Sequence, residues 1–223
     1  MKKKLVIFGN GSMAKGLYLG LRTDPDYEVA AFCVDEAFLT EPQLFGLAVL
    51  PFNENLVKSH PPDEFFVHIA IGYARVNQVR AERFSQAKAW GYRLSTHFSP
   101  LGLYDRELLQ IGENCFVGPQ VLISPTARIG NNVVIGANCV IPHDVKIEDH
   151  CFLSTNVVLG GGVTLQPYCY LGANATLRNW ITIGRSCVIG VGAVILDDTQ
   201  AKEVYMARPA EKLPISSDDL PLK

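Results

Sequence analysis

The sequence predicts two joined units, a Rossmann-like α/β nucleotide fold over residues 1–97 and a parallel β-helix of about five coils over residues 98–205, followed by a tail at 206–223. Three observations carry this. An aliphatic residue recurs every six positions from Ile111 to Ile195, through Val117, Ile135, Leu153 and Leu177. The fifth position of each hexad is small or β-branched and uncharged, as at Cys115, Ala127, Val145 and Cys169. Near the start, a short apolar strand runs into a glycine-rich turn and then a helical stretch.

The fifteen hexads have an aliphatic first residue without exception. If one residue in three were aliphatic, chance would give this with odds on the order of one in ten million, so the period is structural. Six residues with two buried positions are too few for a helix–turn–helix repeat and out of step with a heptad. They fit one flat strand and one turn of a hexapeptide β-helix. Three hexads close a triangular coil of eighteen residues, and five coils stacked at the strand spacing make a prism roughly 24 Å long. The glycines of the second position, Gly112, Gly130 and Gly172 among them, are expected to permit turn dihedrals that a β-carbon would penalise.

The N-terminal hundred residues read differently. Lys4–Phe8 is an apolar strand, the turn Gly9-Asn10-Gly11-Ser12 follows, and a helix extends through about Leu21. A buried strand over Tyr27–Val34 then ends at Asp35. Glycines let backbone approach a phosphate at a helix N-terminus, and an acid after the second strand can meet a ribose hydroxyl. The fingerprint's third glycine is Ala14, so a tight turn without a ligand is the competing reading. Further strands are expected over 47–52, 65–71 and 92–97, with an amphipathic helix over 76–90. The stretch from His97 to Gln110 is expected to link the units.

Charge and cysteine content narrow the function. Twenty basic against 22 acidic residues give a net charge of −2, which does not favour nucleic acid or an anionic membrane as partner. The apolar run after Lys2-Lys3-Lys4 is too short for a signal peptide's core, and no segment is long enough to span a bilayer, so a soluble cytoplasmic protein is expected. Five of the six cysteines fall at the small fifth position and read as buried hydrophobes rather than metal ligands or nucleophiles. No metal cofactor is expected.

Among five histidines, His60, His68 and His97 fall in a loop, a buried strand and the junction, and read as structural. His143 is different: it sits at an outward hexad position with Asp144 beside it. A carboxylate that orients an imidazole and stabilises its charged form makes a general base for an amine or hydroxyl. Eighteen residues later, on the same edge one coil along, is Gly161 within Gly160-Gly161-Gly162. A bare backbone there can offer an N–H to a carbonyl oxygen, an oxyanion donor for acyl transfer; three glycines forming a tight corner is the alternative.

Together these features resemble the bacterial hexapeptide-repeat sugar acyltransferases, in particular the sialic acid O-acetyltransferases and the nucleotide-linked amino-sugar N-acetyltransferases. The resemblance rests on the hexads, Pro142-His143-Asp144, Gly161-Gly162-Val163-Thr164, Ala207-Arg208-Pro209-Ala210 and the Gly9-x-Gly11 start with Ala14-Lys15, and it covers residues 1–212. It implies left-handed winding, a homotrimer with active sites between neighbouring prisms, and acetyl-CoA as co-substrate. It also implies His143 and Asp144 as the catalytic pair, Gly161 with Gly162 at the acetyl-CoA, and Gly9, Gly11, Ser12 and Asp35 at the nucleotide of a nucleotide-linked sugar. By their place near the prism's far end, Arg208, Arg185 and Lys202 are candidates for binding the acetyl-CoA through its phosphates. One departure stands out: where many N-acetyltransferases of this type carry a second histidine, this chain has Phe152. Two rival readings follow from the same prism. A carbonic anhydrase-type zinc site needs three converging histidines, and only His143 and His150 lie on the coils, at different hexad positions. A non-catalytic trimeric binding protein would leave His143-Asp144 without a role.

Overall fold

The computed structural model describes residues 2–22, 24–212 and 214–217. Of the tail expected at 206–223, residues 213 and 218–223 lie outside the described residues.

The N-terminal unit is built on a six-stranded sheet: β1 (Lys3–Phe8), β2 (Tyr27–Val34), β3 (Gln43–Leu44), β4 (Leu47–Pro51), β5 (Phe65–Ile69) and β6 (Arg93–Leu94), in the order β3-β4-β2-β1-β5-β6. All pairings are parallel except the β3–β4 hairpin. The central strands are apolar on both sides because helices cover both faces: Val6, Phe8 and Val67 belong to one core and Leu5, Ile7 and Phe32 to another. The helices are α1 (Ser12–Leu21), α2 (Glu54–Ser59) and α3 (Gln78–Ala89). Of these, α2 has no counterpart in the expected elements. The chain crosses to the other side of β1 when it makes β5, and a crevice opens there at the carboxyl ends of the strands.

Val76, expected to begin the amphipathic helix, does not. Arg75, Val76 and Asn77 form a left-handed turn with φ of 50°, 51° and 67°, and α3 starts at Gln78.

Every hexad forms a two-residue strand ending on its aliphatic first residue, and stacked strands pair in register at intervals of eighteen, as Val134 with Phe152 and Phe152 with Tyr170. Three parallel sheets result, of five, five and seven strands. A single core of first- and fifth-position side chains runs through the prism, and all five of its cysteines are buried within it. Winding starts before the hexads do. Strand β7 (His97–Phe98) already pairs with Phe116–Val117, and Leu103 bridges to Leu122. Much of the expected linker is thus the first turn of the prism.

Second-position glycines are present for another reason than dihedral freedom. Their φ angles are ordinary; the left-handed residues are those of the fourth position, such as Asn132, Asp144, His150 and Asn156. A β-carbon on Gly112 would lie 2.8 Å from the Asn131 nitrogen, and one on Gly172 would lie 2.7 Å from the Val191 nitrogen. The next coil approaches closely at each of the second-position glycines, so close backbone approach favours glycine at those eight of the fifteen positions. At the fourth position asparagine is common because its short polar side chain tolerates the left-handed region.

The units are tied at one corner of the prism, the column Asn114, Asn132, His150, Tyr168. Asn114 accepts from the Ile69 N–H at 2.7 Å and donates to Asn132 at 2.8 Å, and Asn132 meets His150 Nδ1 at 2.9 Å. Arg80 of α3, fully buried, donates to the carbonyls of Asn132, His150 and Cys151. No helix among the described residues is long and apolar enough to cross a membrane.

Candidate active site

His143 and Asp144 stand at a second corner, formed by Thr126, Asp144, Gly162 and Trp180 at eighteen-residue intervals. Asp144 takes the left-handed conformation there, φ 60°, and its N–H donates to Thr126 Oγ1 of the coil before at 3.0 Å. That fixes the carboxylate beside the ring: His143 Nδ1 to Asp144 Oδ2 is 3.1 Å. With Nδ1–H donating to the carboxylate, Nε2 is left as a lone-pair acceptor. The ring is on an open edge, with 62% of the side chain exposed.

Gly161 lies against this ring. A β-carbon on it would come within 2.5 Å of Cε1 and 2.6 Å of Nε2 of His143. Gly162 donates its N–H to the His143 carbonyl at 3.0 Å and, at φ 71°, needs the conformation glycine allows. A side chain on Gly162 would collide with the Trp180 indole, whose ring centroid is 6.3 Å from that of His143. The structure therefore brings His143, Asp144, Gly161 and Gly162 together, as the coil arithmetic requires. It adds Thr126 and Trp180, which the same arithmetic reaches from Asp144 one coil back and two coils on. Arg208 is not brought there: it is exposed beyond the last paired strand. Arg185 and Lys202 share a different hollow of about 580 Å³ beside α3, where Arg185 lies 4.8 Å from the Tyr168 ring.

The remaining candidate residues meet in the N-terminal unit. Gly9, Gly11, Ser12 and Asp35 line one cavity of about 440 Å³ at the carboxyl ends of β1, β2 and β5, with Phe38, Ile71, Gly72 and Ala74. Gly9 has φ 120°, and a β-carbon on it would sit 2.7 Å from the Ala70 carbonyl oxygen. Gly11 caps α1 with no side-chain bond to its first N–H groups, which leaves those donors facing the cavity mouth. Asp35 is engaged by Arg83 Nε at 2.9 Å, and a carboxylate so paired still has lone pairs for a hydroxyl.

The other histidines are structural. His68, fully buried, bonds Ser95 O through Nδ1 at 2.8 Å, and burial holds its imidazole down to about 4. Burial also lowers His97 and His150. His150 belongs to the corner that meets the N-terminal unit, away from His143, and no cluster of three or more metal-ligating side chains occurs among the described residues. At the departure position, Phe152 packs its ring 5.8 Å from that of Tyr170.

Comparison with known proteins adds to this geometry. A family model described as the GMPPB C-terminal domain matches residues 110–213. No curated relative matches the chain by sequence. Among solved structures, PerB from Caulobacter crescentus in complex with CoA and GDP-perosamine is 25% identical, with a TM-score of 0.80 over 90% of this chain and 92% of that one. A histidine-to-asparagine variant of perosamine N-acetyltransferase from the same organism, also with CoA and GDP-perosamine, is 24% identical, with a TM-score of 0.79 over the same shares. The acetyltransferase domain of PglB from Neisseria gonorrhoeae, in complex with acetyl coenzyme A, is 21% identical, with a TM-score of 0.80 over 96% of this chain and all of that one. Along nine-tenths or more of its length, the chain shares the fold of these acetyltransferases.

Proposed function

We propose that the protein transfers an acetyl group from acetyl-CoA to the amine of a nucleotide-linked amino sugar, with His143 as general base. The observation that carries this is the pair of contacts His143 makes at one corner: Nδ1 on Asp144, and Nε2 unburdened beside the bare backbone of Gly161.

The amine nitrogen attacks the thioester carbonyl carbon while Nε2 of His143 takes its proton. Asp144 holds the ring and stabilises the imidazolium. The tetrahedral oxyanion takes a hydrogen bond from the backbone N–H of Gly161. Collapse expels the coenzyme's thiolate, and the imidazolium returns the proton to it. No covalent enzyme intermediate is needed, in keeping with cysteines that all face inward. The pantetheine arm runs past Gly161 and Gly162 with Arg208 toward its phosphates. The nucleotide lies in the cavity of Gly9, Gly11, Ser12 and Asp35, so the N-terminal unit, 1–97, works as a Rossmann-like nucleotide site and the prism, 98–205, wound left-handed, as the transferase.

Within one chain, the His143 corner and the corner carrying the N-terminal unit are different edges of a triangular prism. A homotrimer brings one chain's base to a neighbour's nucleotide cavity. A hydroxyl acceptor, as in the sialic acid O-acetyltransferases, is the second reading, favoured by Phe152 standing where the amine-acetylating enzymes carry a histidine.

The test is release of free coenzyme A thiol from acetyl-CoA with GDP- and UDP-linked amino sugars and free sialic acid, comparing wild type with His143→Ala. General-base assistance contributes about 10²- to 10⁴-fold, so turnover with an amino sugar should fall by that order in the variant. Turnover with sialic acid alone would move the protein to O-transfer. A loss below tenfold would remove His143 from the mechanism.

A further inference from the structure

The turn between β5 and α3 holds the longest left-handed run of non-glycine backbone among the described residues. Three consecutive non-glycine residues, Arg75, Val76 and Asn77, are left-handed, and for β-branched Val76 this conformation is a steric outlier. The turn closes with the Asn77 N–H on the Tyr73 carbonyl at 3.1 Å. It is held from behind. Asn77 Nδ2 donates to the carbonyls of Tyr168 and Cys169, and Arg80 Nη1 donates to the Gly72 carbonyl at 3.1 Å and to Asn77 Oδ1 at 3.0 Å. Strain over-determined in this way marks sites where geometry serves function.

What the turn achieves is the position of Tyr73. Its ring stands 4.5 Å from that of Tyr170 and 5.1 Å from that of Phe152, making a three-ring surface on the prism face next to the tied corner. The buried Arg80 guanidinium backs Phe152 at 5.6 Å. Tyr73 remains 51% exposed, so burial of its ring does not account for the strain. Its neighbours Gly72 and Ala74 line the nucleotide cavity. The aromatic surface thus begins where that cavity ends.

We infer that Tyr73, supported by Tyr170 and Phe152, is the platform on which the sugar ring of a nucleotide-linked sugar lies while its nucleotide occupies the adjoining cavity; this rests on the function proposed above. A pyranose presents an apolar C–H face that packs on an aromatic ring. A phenyl ring at position 152 recognises that face, where a histidine would bond a polar group. The platform therefore positions the acceptor without contributing to the chemistry or to the coenzyme site.

Calorimetric binding of GDP-perosamine against GDP, and of a UDP-linked amino sugar against UDP, tests this on wild type, Tyr73→Ala, Tyr170→Ala and Tyr73→Phe, with sedimentation of each variant. Wild type should bind the nucleotide sugar more tightly than the matching nucleotide. Both alanine variants should lose about tenfold for the nucleotide sugar, with affinity for the free nucleotide and KM for acetyl-CoA unchanged, and Tyr73→Phe should stay near wild type. Equal losses for nucleotide and nucleotide sugar, or none, would overturn the platform. So would a wild type with no preference for the sugar form, or a change of oligomeric state in the alanine variants, which would make the rings a subunit contact. Sugar-dependent binding without thiol release would keep the platform and sink the acetyltransferase reading. Turnover unaffected by Tyr73→Ala would do the reverse.

Discussion

The imidazole of His143 rests on the bare α-carbon of Gly161, so close that a methyl group there would fall 2.5 Å from the ring. Gly161→Ala should therefore drive the ring from its place while leaving the coil intact. Displacement of a catalytic group by about 1 Å costs on the order of 10²-fold, and steady-state kinetics should show that loss in kcat, with the thermal midpoint nearly unchanged. Wild-type turnover in this variant would show that the ring's present position is not the working one.

Asp144 offers a cleaner separation of roles. Its carboxylate and the imidazole are both more than half exposed, and such pairs are worth ~1 kcal/mol or less to stability. Asp144→Asn keeps a residue suited to φ 60° and removes the charge, so turnover should fall tenfold or more with an unchanged melting temperature. Asp144→Ala should lower both, because alanine is strained in the left-handed region. If Asn retains full activity, the carboxylate's charge has no part in the reaction.

Separation of the base from the nucleotide cavity makes complementation decisive. Co-expressing His143→Ala with a variant blocked at the cavity, Gly9→Val, should restore turnover to about a quarter of wild type, since that share of interfaces in randomly mixed cyclic trimers escapes both defects. The assembly should sediment with three times the chain's mass of 24.5 kDa. No restoration in mixed trimers would place both groups of a site within one chain.

Acid should destabilise the N-terminal sheet through His68. Its folded-state value of about 4 lies below the ordinary 6.5 because the ring is buried. Between those values the unfolded chain binds a proton that the folded chain does not. Stability therefore falls as pH drops from about 6.5 to about 4, by ~3 kcal/mol. His97 and His150, lowered for the same reason, add in the same direction. His68→Asn, which can still donate to Ser95 O, should flatten the acid limb of a melting-temperature profile; an unchanged slope would assign the loss to other groups.

The period of six determined the prism by itself. Burial of first and fifth residues repeats along the chain, and a translational repeat needs no knowledge of distant contacts to be read. Counting by eighteen then carried His143 to Gly161, since residues one coil apart must be neighbours. The same count reaches Trp180 and Thr126, and β2 at Tyr27–Val34 was legible from its apolar run.

Tertiary structure decided what depends on approach between parts that no local pattern encodes. Second-position glycines looked like turn residues, but the backbone of the following coil is what excludes their β-carbons. Val76 had the pattern of a helix start, yet the carbonyls that Asn77 and Arg80 reach on the coils, at Tyr168 and Cys169 and at Asn132, His150 and Cys151, hold the turn in which it is left-handed. Tyr73 drew no notice in sequence, because the three rings it joins are 79 and 18 residues apart along the chain and meet only when the N-terminal unit docks on its corner. Local burial patterns specify elements; the packing of one unit on another specifies which side chains share a surface.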